Sequence, residues 1–293
     1  MLKQEAYKRY AAIDIGSNAI RLLVCQRVGR ILQKLTLVRL PIRLGSDVFL
    51  TGKISSKKQD VLIHGLKGFS SLMKAYEVDE YKACATSAMR DASNSSAIIK
   101  KVKEKTGIDL EVIDGKKEAD YLFKVGLEQV PEKYKSFLYI DVGGGSTELT
   151  FFSNKEIVDS YSFQLGTVRC LLEKDTKREW KKLKKFMLDI SSKENVNNVV
   201  ASGGNINKYL KLADNGSKSK KLNCYQLAEL HGALSELSFQ ERMDQYGLRY
   251  DRADVIVPAG RIFLEILSFT QAESIFVPKM GLADGLILEM LSK

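Results

Sequence analysis

Two short segments concentrate the residues that could do chemistry: Ile13-Asp14-Ile15-Gly16-Ser17-Asn18 and Ile140-Asp141-Val142-Gly143-Gly144-Gly145-Ser146. Aligned without gaps they keep Ile, Asp, a β-branched residue and Gly in step, and Leu22 and Leu149 each fall eight positions after the Asp. Each segment reads as an apolar strand that brings a carboxylate to its end and then turns on small residues. Such a turn leaves backbone N–H groups to face an anion, which makes a phosphate cradle. Two copies predict two similar half-molecules facing each other across a phosphate-filled cleft.

In the first turn Asp14 can hold a metal-bound water. Ser17 and Asn18 offer hydroxyl, amide and backbone donors, and Arg21 can meet phosphate oxygens in two-point fashion. In the second, Gly143, Gly144 and Gly145 let the backbone approach a phosphate closely, with Ser146 and Thr147 following. No G-K-[ST] follows, so it is not a P-loop, and the G-x-G-x-x-G spacing of a dinucleotide site is absent. Asp141 and Glu148 bring two carboxylates to one loop, hard oxygen ligands suited to Mg²⁺ or Mn²⁺. Cys84 to Arg90 reads as a strand running into a helix start capped by Thr86-Ser87, with Arg90 and Asn94 projecting toward the same place. Ser202-Gly203-Gly204-Asn205 is a third small-residue turn, which either wraps a nucleotide base or ribose or simply turns the chain. Glu118 lies in the first turn of a helix, where the dipole favours an acid and where a carboxylate could take a proton from water.

Length and composition bound what these residues can serve. The 293 residues suffice for one large domain or two ordinary ones, and 44% hydrophobic with 28% charged residues is a soluble, globular composition. A formal charge of +10 favours polyanionic partners, whether nucleic acid, an anionic membrane or a phosphate-rich small molecule. Four dispersed cysteines and two histidines exclude a Cys/His zinc site and point to a reducing compartment. No secretory signal and no run of about 18 apolar residues is present, so a cytoplasmic protein without membrane contact is expected. The basic segment 176–190 has only Trp180 among its lysines, which argues against reading of nucleic acid and leaves a solvated face or an electrostatic track for a phosphate chain.

The elements that must position these residues alternate. Strands are expected over 10–25 (with a turn at Gly16-Ser17-Asn18), 28–35, 37–44, 81–85 and 110–113, and helices over 55–73 and 95–106. After Asp114-Gly115 the pattern restarts: a helix over 118–130, with Ala119, Leu122, Phe123 and Gly126 on one face; strands 137–142, 148–152, 157–163, 196–201 and 274–277; helices 176–190, 225–236, 259–270 and 282–291; and a polar loop at 215–221. Strands in groups broken by helices make a mixed α/β architecture with an internal boundary near 115–118.

These residues resemble the exopolyphosphatase and guanosine pentaphosphate phosphatase family, within the actin, sugar kinase and chaperone ATPase superfamily. Beside the two Asp turns, the likeness includes Arg43-Leu44-Gly45, Ala85 to Arg90 with Asn94, Glu118-Ala119, Asp141 to Glu148, Leu165 to Arg169, Ala201 to Gly204 and Gly281 to Leu286. The resemblance implies two ribonuclease H-like domains with an interdomain cleft: residues 1–117, with helix 282–293 packing back, and residues 118–281. It implies Glu118 as the base that activates water, with Asp141 also catalytic; Asp14, Asp141 and Glu148 as holders of Mg²⁺ or Mn²⁺; and Ser17, Asn18, Arg21, Arg90, Gly143, Gly144, Gly145 and Ser146 as the grip on phosphate. Lys117 stands where the family often has a second acid, and Ala283-Asp284-Gly285 where it usually has Arg-Glu-Gly. The expected activity is metal-dependent removal of terminal phosphate from inorganic polyphosphate. The alternatives are hydrolysis of guanosine pentaphosphate, a sugar or acid kinase of the superfamily, or a non-catalytic polyphosphate or alarmone sensor. A homodimer is compatible with this likeness, which is closest to the short members without extra C-terminal helical domains.

Overall fold

The protein is described by a computed structural model over residues 7–29, 31–154, 156–214, 219–278 and 280–292, with 122–128 described as backbone. The loop expected at 215–221 thus lies partly outside the described residues, as do the side chains of Leu122 and Phe123. The chain divides into two compact units, Met1–Val125 with Leu282–Lys293, and Gly126–Gly281.

The first unit opens with β1 (Lys8–Ile15), β2 (Ile20–Val28) and β3 (Ile31–Leu40), an antiparallel meander. It continues through α1 (Leu44–Thr51), α2 (Ser56–Ala75), β4 (Glu80–Ala85), α3 (Ser87–Asp91), α4 (Ser95–Thr106), β5 (Leu110–Val112) and α5 (Gly115–Gln129). Strand order is β3-β2-β1-β4-β5, with β4 parallel to β1 and β5 parallel to β4. Strand β1 is buried at every position from Tyr10, the run expected of a central strand covered on both faces. Helix α2 begins at Ser55, whose hydroxyl accepts from the Lys58 N–H, and lies close against the sheet at Gly65.

The second unit repeats the plan with β6 (Ser136–Val142), β7 (Thr147–Ser153), β8 (Glu156–Phe163), α6 (Thr167–Leu171), α7 (Lys177–Ser191), β9 (Val199–Ser202), α8 (Gly204–Ala213), β10 (Lys221–Asn223), α9 (Cys224–Glu236), α10 (Phe239–Tyr246), α11 (Tyr250–Ala253), α12 (Ile256–Leu267) and β11 (Ser274–Phe276). Its order is β10-β11-β9-β6-β7-β8. Without the short antiparallel β10, it matches the first sheet strand for strand and sense for sense. Both are ribonuclease H-like sheets. Leu138, Ile140, Leu149, Phe151 and Phe163 pack in one core with Leu183 and Met187 of α7, Tyr209 of α8 and Phe263 of α12. The last helix, α13 (Leu282–Leu291), belongs to the first unit and packs on β1, β2 and β4.

Several local expectations are corrected. The strand expected over 37–44 stops at Leu40, and α1 starts at Leu44 after Arg43 adopts a left-handed conformation (φ 60°). Thr86 precedes α3 without a side-chain cap. The turn at 202–205 opens the full helix α8, because Gly203 (φ 103°) supplies a sharp change of direction that pattern alone does not reveal. The units divide within α5, a single continuous helix, so Glu118 belongs with the first unit; a boundary at 117/118 assigns it to the second.

Candidate active site

The two Asp-bearing turns are built alike. The Gly16 N–H donates to the Ala19 carbonyl at 3.1 Å, and the Gly143 N–H donates to the Ser146 carbonyl at 2.9 Å. In each unit the segment after the third strand returns over the turn and binds its carbonyls. Gly45 N–H reaches Ser17 O (2.8 Å) and Arg43 N–H reaches Asn18 O (3.0 Å). In the second unit Thr167 N–H reaches Gly143 O (3.0 Å), Val168 N–H reaches Gly144 O (2.8 Å), and Arg169 Nε reaches Gly145 O (2.6 Å). A planar trans peptide points its N–H opposite to its C=O. The second turn therefore directs the N–H groups of Gly144, Gly145 and Ser146 away from α6, and the first directs those of Asn18 and Ala19 away from α1. Converging backbone donors of this kind suit phosphate oxygens.

The glycines are needed for this closeness. A Cβ on Gly166 would stand 2.5 Å from Gly144 O and from the Gly145 backbone. On Gly45 it would meet the Phe49 ring at 2.6 Å and Ser17 Cβ at 3.0 Å.

Cross-strand register places the charged groups. Register partners share a face of their sheet. In the first unit Arg39, Arg21, Asp14, Cys84 and Glu111 form one row across five strands. In the second Ser162, Glu148, Asp141 and Ser202 form the corresponding row across β8, β7, β6 and β9. Arg21 donates to Asp14 at 2.5 Å. At the matching position of the second sheet Glu148 faces Asp141, and Glu148 accepts a hydrogen bond from Ser162 Oγ at 2.8 Å.

Of the other predicted residues, Ser17 is buried and its hydroxyl bonds that of Ser87 at 2.7 Å, which ties the first turn to the start of α3. Arg90 donates to the Ile113 carbonyl at 2.8 Å, just before α5. Asn94 does not join it: both ends of its amide are bonded to the Ile54 backbone, a structural lock between segments. Glu118 is 9% exposed, in the first turn of α5, where Asp114 caps the Lys117 N–H at 2.7 Å. Lys117 pairs with Glu111, so the departure beside Glu118 engages the end of the first sheet. Asp284 pairs with Lys34 at 2.5 Å. Gly285 lets α13 press against α5, since a Cβ there would lie 2.4 Å from Tyr121 O.

Two supporting residues have no role assigned by the sequence reading. Lys58 on α2 binds the Arg43 carbonyl and Ser46 and pairs with Asp47, so it holds the left-handed Arg43 in place. Its sequence setting, Ser56-Lys57-Lys58, looks like solvated helix surface. Arg169 does the same for the glycine turn; it stands in the Leu165 to Arg169 stretch of the family likeness, where no role was assigned to it.

A divalent cation fits the acidic row of the second unit. Asp141 and Glu148 supply two carboxylates at adjacent register positions, and Gly203 lacks the Cβ that would come within 2.8 Å of Asp141 Oδ1. Among the described residues no group of three or more His, Cys, Asp or Glu could hold a metal ion. Mg²⁺ typically takes one or two carboxylates and completes its shell with water and substrate phosphate. Asp14, expected to join that set, is ion-paired with Arg21. No described helix is long and apolar enough to cross a membrane.

Known proteins share this sequence pattern and fold. A bifunctional 3-dehydroquinate synthase/phosphatase of Fusobacterium nucleatum is 28% identical over 316 residues, covering 95% of this chain and 46% of that protein; the chain thus spans about half its length. Exopolyphosphatase 1 of Mycobacterium bovis is 25% identical, covering 97% of this chain and 88% of that protein. The crystal structure of the Aquifex aeolicus member of the Ppx/GppA family superposes with a TM-score of 0.79 at 28% identity, covering 98% of both chains. The sequence pattern of the Ppx/GppA phosphatase family matches residues 23–293, and the chain belongs to that family.

Proposed function

We propose that the protein is a cation-dependent phosphoanhydride hydrolase that removes the terminal phosphate of inorganic polyphosphate. The observation that carries this reading is the second turn: three backbone N–H groups directed one way, beside the Asp141–Glu148 pair. Positioning and charge neutralisation, more than covalent chemistry, are what phosphoryl transfer needs. The glycine turn grips phosphate oxygens with backbone donors, a task the family likeness also gives to Ser17, Asn18, Arg21 and Arg90. A divalent cation on Asp141 and Glu148 would neutralise phosphate oxygen charge. Glu118 accepts a proton from the attacking water as its oxygen bonds to the terminal phosphorus. The bridging P–O bond breaks, and the chain leaves one phosphate shorter. The formal charge of +10 and the basic helix α7 favour a long polyanion, in keeping with the coverage of the Mycobacterium exopolyphosphatase.

The test is phosphate release by the purified protein with Mg²⁺, from long polyphosphate and from guanosine pentaphosphate in parallel. Release is expected to be faster from polyphosphate and to fall about 10²–10⁴-fold in Glu118→Gln, the range of a general base. Faster release from guanosine pentaphosphate would reassign the substrate. Binding without release from either would make the protein a sensor.

A further inference from the structure

The two ends of the acidic row in the second unit differ. At one end Ser162 donates its hydroxyl to Glu148 at 2.8 Å, so its proton is committed to orienting a carboxylate. At the other end Ser202 closes β9, is 1% exposed, and its Oγ has no hydrogen-bond partner among the described residues. A buried hydroxyl without a partner is destabilising, so its retention calls for a reason.

Its neighbours indicate what would satisfy it. Ser202 is the register partner of Asp141, which in turn faces Glu148, so all three side chains project from the same face of one sheet at its end. The Asp141 carboxylate leans toward β9: its Oδ1 lies 2.8 Å from where a Cβ of Gly203 would stand. The orphaned oxygen and the leaning carboxylate therefore both lie at the end of β9. An anion there would stand against two carboxylates, whereas a hard cation would gain a neutral oxygen donor from the hydroxyl. The first unit makes the contrast. Cys84 holds the position of Ser202 beside Asp14, a soft thiol that burial pushes up to about 12 in place of a hard hydroxyl oxygen.

We propose that Ser202 Oγ is a third protein oxygen ligand, beside the Asp141 and Glu148 carboxylates, for a hard divalent cation at the end of β6, β7 and β9. This deepens the cation site of the proposed hydrolase and rests on that reading.

The experiment is a Mn²⁺ titration of the full chain without substrate, followed by electron paramagnetic resonance of the free ion, for the wild type and for Ser202→Ala, Ser202→Cys and Asp141→Asn. Ser202→Ala is expected to weaken Mn²⁺ binding about tenfold. Ser202→Cys is expected to shift preference toward Cd²⁺ and to add a thiolate-to-cadmium absorption above the background of the four natural cysteines. An unchanged Mn²⁺ Kd in a folded Ser202→Ala protein overturns the proposal. Should that variant fail to fold by circular dichroism, the cadmium band of Ser202→Cys decides, and its absence overturns the proposal equally. Loss of Mn²⁺ binding in Asp141→Asn alone sinks the Ser202 ligand and keeps the carboxylate site. Unaltered binding in Asp141→Asn sinks the cation site itself.

Discussion

The first and second sheets share strand order, strand sense, turn hydrogen bonds and even the Asp at the end of the central strand, yet they carry different electrostatics on the same row. In the first, Arg39 and Arg21 stand with Asp14 and Glu111, two basic groups against two acidic ones. In the second, Asp141 and Glu148 stand between Ser162 and Ser202, with no base in the row. One residue makes most of the difference: position 21 is Arg where position 148 is Glu. A neutral row supports itself and can offer an arginine edge to phosphate. A doubly acidic row favours a cation. Two similar backbones thus carry rows of different charge.

The strongest way to break this contrast is to remove it. Glu148→Arg places in the second sheet the pairing of the first, and is expected to abolish Mn²⁺ binding and lower phosphate release by about 10³. Retention of cation-dependent turnover would show that the acidic row is not the cation site. Next in size is Arg21→Ala, which leaves Asp14 without its guanidinium. The Asp14 side chain is 6% exposed and that of Arg21 31%, so the loss should be about 2–3 kcal/mol, below the roughly 3–5 kcal/mol of a fully enclosed pair. Urea unfolding measures it, and no change in midpoint would remove the ion pair from the account of the first unit.

The connectors sharpen the comparison further. Gly166→Ala pushes a Cβ into backbone at 2.5 Å, while the nearest atom for Gly45→Ala is the Phe49 ring at 2.6 Å, which can turn aside. Gly166→Ala should cost about 1–3 kcal/mol and raise KM for the phosphate substrate, with a smaller effect at Gly45. Equal effects would mean that the two connectors are equally rigid.

The smallest effects concern pH. Each connector is pinned by an acid. Burial pushes the Asp47 carboxyl up, but bonds from Ser55 and Lys58 outweigh it and hold it below the ordinary value. Burial likewise opposes Glu179, and Lys182 with the Gln164 N–H outweighs it. A carboxyl whose folded value is depressed contributes stability above its unfolded value and loses it as pH falls through the folded one. Asp47→Asn and Glu179→Gln should therefore each flatten the acid limb of the stability profile below about pH 4, near the ordinary carboxylate values. The Glu179 contribution should be about 1 kcal/mol or less, because the Lys182 side chain is 37% exposed. Thermal melts from pH 3 to 7 would show it, and unchanged acid limbs would discount both pins.

Much of this was legible in the chain. The two Asp-Gly turns, their repeated spacing, the strands around them and the acidic position of Glu118 in its helix are local properties, set by period-two burial, small residues and dipole preference. Less legible were α1 and α8, which begin at Arg43 and Gly203 in positive-φ conformations that residue pattern does not announce. Asn94 looked like a partner of Arg90 because helical spacing favoured it, but the Ile54 backbone, forty residues earlier in the chain, claimed both ends of its amide.

By itself the sequence determined which atoms are available: two carboxylate-bearing strand ends, small-residue turns able to expose amides, and a charge balance suited to polyanions. Tertiary structure alone decided how they pair. That Arg21 neutralises Asp14, that Glu148 faces Asp141 in the row closed by Ser202, and that Lys58 and Arg169 brace the turns follow from strand register and helix packing. The physical reason is range. Turn and strand preferences act over a few residues, whereas desolvation and ion pairing are settled between groups far apart in the chain and adjacent only once the sheet has formed.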